Sequence, residues 1–295
     1  MTNLYRQIVS PTIRKKIYNS FLKKLLCFLA KLKAWFIYIL YPFFPKNDYY
    51  NAWYYIGKYG YTMYPFEKMV NYKNLQVTTA YDEQKKLPYI IHKDKRLYLP
   101  ENTNANSFIT SYKQLLIEQD ENSPHRYLKE NTELQGKILL DIGAAEGIFT
   151  LENIELVKKA YLFECETQWI APLCATFEPW KEKVEIINKF VGNRDEGDFI
   201  TIDSFMKTRE QNDIHIKMDI EGYELAALTG SKNLLTNGKS ISLSICAYHN
   251  EKDAEDIASF FEKNGGYKYY FTQGKLLLQP YFMRIGMCRA LKTEK

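Results

Sequence analysis

KILLDIGAAEGIFT, residues 137 to 150, decides how the rest of the chain is read. Lys137 to Leu140 is mostly apolar and suits a strand buried on both faces. Asp141 follows, then a turn with Gly143 and Gly147, then a new apolar pattern from Ile148. Strand, glycine turn and helix in that order bring a helix N-terminus and bare backbone N–H groups up to a ligand. The dinucleotide form of this turn needs G-x-G-x-x-G. With Gly143 as the first glycine, the other two positions hold Ala145 and Ile148. A nicotinamide-dependent oxidoreductase is therefore disfavoured, and an ordinary strand–turn–helix is the bland alternative.

Downstream of Gly136 strand and helix patterns alternate, which implies an open, mostly parallel sheet. Strands are expected at 138–141, 160–164, 184–188, 215–219, 242–247, 267–272 and 286–290, and helices near 148–158, 168–179, 223–235 and 251–264. The second strand ends AYLFECE, which sets Glu164 at the place where an acid accepts bonds from both ribose hydroxyls, with Glu166 as the alternative.

HIKMDIEGYELAALTG says most about chemistry. Alternation puts His215, Lys217 and Asp219 on one face of a strand whose other face is Ile214, Ile216 and Met218. Charges on a central strand are costly unless paired or used. Lys217 and Asp219 fall about 7 Å apart on that face, close enough to hold each other ionised. Glu221 and Gly222 then lie at the carboxyl end of the strand, where open α/β sheets bind ligands. A surface edge strand with ordinary alternation is the competing reading. The next strand ends SICAYHN and brings His249 to the same edge, either as a satisfied structural residue or as a proton acceptor. An Asp/Glu/His group can hold a divalent metal, but no ligand spacing supports one and none is expected. SPHRY at 123–127 precedes the domain, either as a linker or as a segment folded over the site.

The chain has 295 residues, enough for one large or two modest domains. Its formal charge of +5 is uneven: residues 1–47 hold nine Lys/Arg and no acid, so the remainder is mildly acidic, which speaks against nucleic acid as substrate. Residues 13–41 read as a helix with Phe21, Leu25, Phe28, Leu32, Phe36 and Ile39 on one face and Lys23, Lys24 and Lys31 away from it. Its uncharged run, Ala34 to Pro45, is too short to span a bilayer, and no cleavage site follows it. Basic residues with Trp35 and Tyr38 suit the surface of an anionic membrane, and packing on the protein's own body is the alternative. Residues 48–72 are crowded with aromatics and read as short helices broken at Gly57, Gly60 and Pro65. A small meander (75–81, 89–91, 97–99) and a helix near 107–118 follow. Five cysteines without a metal or disulfide framework suggest reduced thiols and a cytoplasmic setting.

DIGAAEG, the acid of LFECE, TIDSF at 201–205 and IKMDIEGYELAALTG, in that order, resemble the FkbM family of S-adenosylmethionine (SAM) dependent methyltransferases. The likeness covers about 136–290, and its K-x-D-x-E-G-x-E core is more specific than the D-x-G-x-x-x-G loop. Two departures stand out: Cys165 replaces the proline of F-E-P, and Glu146 stands near where Asn or another polar residue is often seen. The resemblance implies a Rossmann-like class I methyltransferase domain, a mostly parallel seven-stranded sheet with an antiparallel edge strand. It implies SAM as methyl donor and O-methylation of a hydroxyl, on a sugar of a glycan or a related metabolite. Asp141, Gly143, Ala144, Glu146, Gly147, Glu164, Cys165 and Asp219 are the expected cofactor residues. Asp219 is expected as the base or the group that aims it, with His249 as runner-up, Glu221 orienting substrate and Lys217 setting charge. The chain then divides into a basic helix (1–45), an accessory α+β region (46–125) and the catalytic domain (126–295). A SAM-binding or membrane-recruited protein without turnover is the rival from another class. Peripheral attachment at the inner face of the membrane is the expected location.

Overall fold

The structure is a computed structural model and describes residues 11–278 and 282–293. The first ten residues of the basic segment lie outside that range. A seven-stranded sheet forms the centre, from β4 (Ile138–Ile142), β5 (Lys159–Phe163), β6 (Val184–Ile187), β9 (Asn212–Met218), β10 (Lys239–Cys246), β11 (Tyr267–Phe271) and β14 (Met287–Lys292). Their order is β11-β14-β10-β9-β4-β5-β6. Neighbours from β6 through to β10 run parallel, and β14 is antiparallel to both β10 and β11. The antiparallel strand thus sits one place in from the edge, with β11 outermost. The winding reverses between β4 and β9, and there the crevice of such a sheet opens.

Apolar runs explain the central position of β4 and β9. Every residue of β4 is buried, as are Ile214 to Met218 of β9. Side chains alternate into two layers: Leu139, Ala160 and Leu162 face one core, and Ile138, Leu140, Ile216 and Leu243 face the other. Helices α4 (Ile148–Asn153), α5 (Ile170–Phe177), α6 (Ile202–Met206), α7 (Glu224–Thr229), α8 (Lys232–Asn237) and α9 (Asp253–Asn264) flank the sheet. The helix expected over 223–235 is split at Gly230, where a Cβ would lie 2.1 Å from the carbonyl oxygen of Gly192. The short pairs β7–β8 (Phe190–Val191, Phe199–Ile200) and β12–β13 (Leu276–Leu278, Phe282–Arg284) are too brief to leave a periodic signal.

Upstream lie α1 (Pro11–Ile39), α2 (Asp48–Tyr59), the meander β1 (Thr79–Asp82), β2 (Leu87–His92) and β3 (Lys95–Tyr98), and α3 (Ala105–Glu118). Ile90, Leu97, Phe108 and Tyr112 join the same core as Leu139 and Leu162, so this region covers one face of the sheet. Gly57 does not break α2. It sits inside the helix because a Cβ there would lie 2.4 Å from the Ala34 carbonyl oxygen, and its absence lets α1 and α2 approach. Among the described side chains of α1, Ala30, Ala34 and Ile37 are buried, packed with Trp53 and Ile56. The stripe Phe21, Leu25, Phe28, Leu32, Phe36 and Ile39 is turned outward, from 41% exposed at Leu25 to 69% at Phe21. The α1–α2 pair is clasped to the C-terminal part of the chain: Gly274 N–H donates to Asp48 (2.7 Å), Leu277 N–H to the Met63 carbonyl (2.9 Å), and Leu277 is buried against Trp53 and Ile56.

His215, on the polar face of β9, is buried between the hydroxyls of Ser242 (2.9 Å from Nδ1) and Ser244 (3.2 Å from Nε2). Burial, with Lys137 and Arg289 adding to it, pushes its pKa down from 6.5 to about 3. It stays neutral when folded, while the unfolded chain protonates below pH 6.5, so stability is lost as pH falls from that value toward 3. Urea unfolding at pH 7 and pH 5 should show His215→Asn losing about 2 kcal/mol less over that interval than wild type, at about 1.4 kcal/mol per pH unit. Equal losses would mean His215 does not titrate as its burial implies.

Candidate active site

The glycine turn is built around contact between β4 and β9. A Cβ on Gly143 would lie 2.0 Å from the Asp219 carbonyl oxygen, so only glycine lets the two backbones meet, and its φ of +79° favours glycine as well. Gly143 and Ala144 N–H both donate to the Phe163 carbonyl (2.9 and 3.0 Å). Gly147 (φ +81°) is pressed against Leu173 and Phe177, where a Cβ would lie 2.8 Å from each. Beneath the turn, Lys217 Nζ lies 3.0 Å from Asp141 Oδ1 and donates to the Gly143 carbonyl at 2.5 Å. Asp141 Oδ2 accepts from the Thr150 hydroxyl (2.7 Å). The partner of Lys217 is thus its cross-strand neighbour Asp141 and not Asp219, the acid two residues along β9.

Glu164 is buried at the end of β5. Its Oε2 accepts from Ala145 N–H (2.8 Å) and its Oε1 from Glu166 N–H (2.7 Å). Each oxygen keeps a lone pair for a further donor. A cavity of about 360 Å³ opens above, lined by Gly143, Ala145, Glu164, Cys165, Phe190 and Asp219 among others. An acid facing a bare glycine turn, with apolar walls at Phe190 and Val191, fits a nucleoside with a free diol. Glu166, the alternative acid, also lines this cavity but is exposed. Four of the expected cofactor residues do not line it, and two of these, Ala144 and Gly147, pack against the core. Asp141 is tied down beneath the turn, and the buried Glu146 lines a neighbouring cavity of about 600 Å³.

At the carboxyl edge the acids gather. Asp219 accepts from the Tyr127 hydroxyl (2.7 Å), and its Oδ1 lies 3.3 Å from His249 Nε2. His249 Nδ1 lies 2.9 Å from Glu224 Oε1, which also accepts from Ile220 N–H (2.9 Å). Glu221 reaches His249 Nε2 at 3.7 Å, yet its side chain is 91% exposed and its φ of +54° is a strained value for a glutamate. Burial alone would raise the pKa of Asp219, but Lys217, His125, His249 and the Tyr127 bond together hold it below its ordinary 3.8. Burial alone would lower the pKa of His249. The Glu224 bond and the charges of Glu224, Asp219 and Glu221 outweigh it and raise it above 6.5.

Sequence reasoning missed most of what holds this edge in place. Glu224, the last acid of K-x-D-x-E-G-x-E, is 1% exposed and orients the imidazole. SPHRY does fold over the site: His125 is fully buried, with Nε2 3.0 Å from the Tyr248 hydroxyl and Nδ1 3.3 Å from Glu118 Oε1. Tyr64 donates to Glu118 (2.9 Å), and the Tyr127 hydroxyl, whose proton goes to Asp219, lies 3.2 Å from Glu118 Oε1. The sequence offered Glu224 as the last acid of its motif and SPHRY as a linker or a segment folded over the site, without a partner for either. Asp219, Glu224 and His249 also bring one ligand atom each within 4.8 Å of one another, close enough to share a divalent cation, although the sequence reading expected no metal. A separate cavity of about 570 Å³ lies at the opposite ends of the strands, around Lys239 and Tyr267, remote from these acids.

The family model described as "Methyltransferase FkbM domain" matches residues 91–269, more than half of the chain and reaching upstream of the glycine turn to the end of β2. No curated protein matches the chain. Among solved structures it is similar to methyltransferase FkbM from Methylobacillus flagellatus KT, at 17% identity over 64% of this chain and 55% of that one, with a TM-score of 0.41. The chain thus spans about half the length of that protein. It is similar to SMU.1697c of Streptococcus mutans, a putative methyltransferase in complex with SAH (15% identity, 55% of this chain and 93% of that one, TM-score 0.42). It is also similar to the magnesium protoporphyrin IX methyltransferase of Synechocystis PCC 6803 with bound SAM (12% identity, 65% and 86%, TM-score 0.42). By the match over residues 91–269, with the Gly143 turn, Glu164 and the Lys217–Asp219–Glu221–Glu224 series in place, the chain belongs to the FkbM family of methyltransferases, whose cofactor is SAM.

Proposed function

We propose that the protein transfers a methyl group from SAM to a hydroxyl of a sugar, in a glycan or a related metabolite. The observation that carries this reading is the gathering of Asp219, Glu224 and His249 beside the cavity that fits the nucleoside. When bound, SAM supplies an electrophilic methyl on a sulfonium, so the protein must mainly position the acceptor and remove its proton. Glu164 would hold the ribose, the Gly143–Gly147 turn would face the methionine part, and Cys165 would lie beside the adenosine. Lys217 sets the stage from below, fixing the Gly143 carbonyl and keeping Asp219 ionised. A carboxylate held below its usual pKa is a weak base. Asp219 therefore suits the group that aims, and His249, with Nδ1 fixed by Glu224, suits the group that takes the proton. Glu221, exposed at the rim, would orient the acceptor. A second reading, in which Asp219, Glu224 and His249 share a divalent cation, is favoured by Glu224 Oε2, which is buried without a hydrogen-bond partner.

The outward stripe of α1 supports the reading of residues 1–47 as a contact with an anionic membrane surface. Small residues dock the helix on α2, and its large apolar side chains, with Trp35 and Phe43, are exposed beside Lys23, Lys24 and Lys31. No helix among the described residues is long and apolar enough to cross a membrane. Such an address would suit an acceptor assembled on a lipid carrier at the inner face of the membrane.

Glu164→Ala should weaken SAM binding in calorimetry by at least ~1–3 kcal/mol, the scale for buried groups left unsatisfied; unchanged affinity would move the ribose contact to Glu166. Asp219→Asn should keep SAM binding and lower turnover by ~10²–10⁴-fold. In wild type, kcat/KM should fall as pH drops through a value above 6.5, because His249 must be neutral to accept a proton. A limb below 3.8 would give the proton to Asp219. EDTA should leave that rate unchanged, and a loss restored by Mg²⁺ or Mn²⁺ would establish the cation reading. Finally, co-sedimentation with vesicles should rise with anionic lipid and fall with salt, since each Lys or Arg near the surface is worth about 1 kcal/mol. Phe28→Asp with Leu32→Asp, at exposed positions, should abolish it without unfolding the protein. A wild-type chain that ignores anionic vesicles at low salt would end the membrane reading.

A further inference from the structure

The cavity that Glu146 lines has no role in cofactor binding as described, and its chemistry is distinctive. It measures about 600 Å³, within the range of roughly 300–1,000 Å³ for small-molecule sites. One wall is α3, where Ser107, Ser111 and Gln114 recur at helical steps and leave room because two of the three are small. The loop before α3 adds Asn102 and Thr103, and Trp169 stands on the other side. No lysine or arginine lines it. Hydroxyls and amides around an aromatic wall, without a cation, suit a neutral polyhydroxy ligand and not a phosphate or nucleotide.

Two observations join this cavity to the chemistry. Trp169 lines both it and the cofactor cavity. Ala145, at φ +47°, turns the chain so that Ala145 borders the cofactor cavity and Glu146 the other. Glu146 is only 9% exposed, and no other described residue donates a hydrogen bond to its carboxyl. Lone pairs on a buried carboxyl want donors, and sugar hydroxyls are donors. Burial also pushes its pKa up to about 7. Carboxyls so perturbed in a cleft cluster at functional sites.

We propose that this cavity, between α3 and the Ala145–Glu146 turn, seats a neutral sugar residue of the acceptor, with Glu146 accepting one of its hydroxyls. The assignment rests on the reading of the protein as a sugar O-methyltransferase and gives the region upstream of the glycine turn a task in selecting substrate. It is tested on an array of neutral oligosaccharides probed with full-length protein saturated with S-adenosylhomocysteine (SAH), alongside Ser111→Trp and Ser107→Phe, both at exposed positions of α3. Wild type should bind a subset of the glycans. The filled variants should lose that binding at least tenfold while calorimetry finds SAH affinity within twofold of wild type. Glycan binding that survives the filling would overturn the site and leave the sugar reading standing. Loss of SAH affinity in both variants would assign the cavity to the cofactor and overturn the proposal. A wild-type chain that binds no glycan would sink the sugar reading itself, and the site with it.

Discussion

Lys217 and Asp141 form the ion pair on which the site depends. Both side chains are almost fully buried on adjacent central strands, at paired positions of β9 and β4. Taking an ammonium and a carboxylate out of water costs several kcal/mol each, so the pair persists only with close geometry and further bonds. It has them: the Gly143 carbonyl takes the ammonium, and the Thr150 hydroxyl takes the carboxylate. Fixing the Gly143 carbonyl fixes the peptide that starts the turn, and the turn presents Ala145 N–H to Glu164. The same ammonium helps to keep Asp219 charged, so one cation serves the floor of the Glu164 cavity and the acidic edge together.

The parts of this arrangement that were legible in sequence are those with local periods. Alternation placed His215, Lys217 and Asp219 on one buried face, and the glycine turn marked the strand before it. Partnership was less legible. Lys217 and Asp219 lie on one strand about 7 Å apart, but adjacent strands are only ~4.8 Å apart, so the cross-strand acid is the closer partner. Which acid that is depends on register, which periodicity does not carry. Tyr127 reaches Asp219 across 92 positions and Glu224 reaches His249 across 25, contacts that exist only in the folded chain. The place of β14 inside β11 likewise depends on pairing between distant parts of the chain.

At the N-terminus the apolar stripe was readable, and the face on which the helix docks was not. Large side chains suggested the contact, yet close approach favours small ones, and Ala30, Ala34 and Gly57 provide it. A helix can therefore bury its small residues and leave its bulkiest ones in view. Hydropathy alone ranks the two faces the wrong way round for packing, and the glycine mid-helix in α2 is the feature that corrects it.

The clasp between α2 and the C-terminal segment also sets an order of events during synthesis. The α1–α2 contact is local in the chain, whereas Asp48 and Gly274 are 226 positions apart. Local contacts form early, and long loops close late. The helical pair thus emerges from the ribosome well before its final fastening, which waits until β12 has been made. A chain stalled or truncated before Gly274 would carry α1 and α2 as a tethered hairpin with apolar surface uncovered, a species prone to self-association. Making the segment that holds Gly274 and Leu277 is, for this protein, also the act that secures α1 and α2.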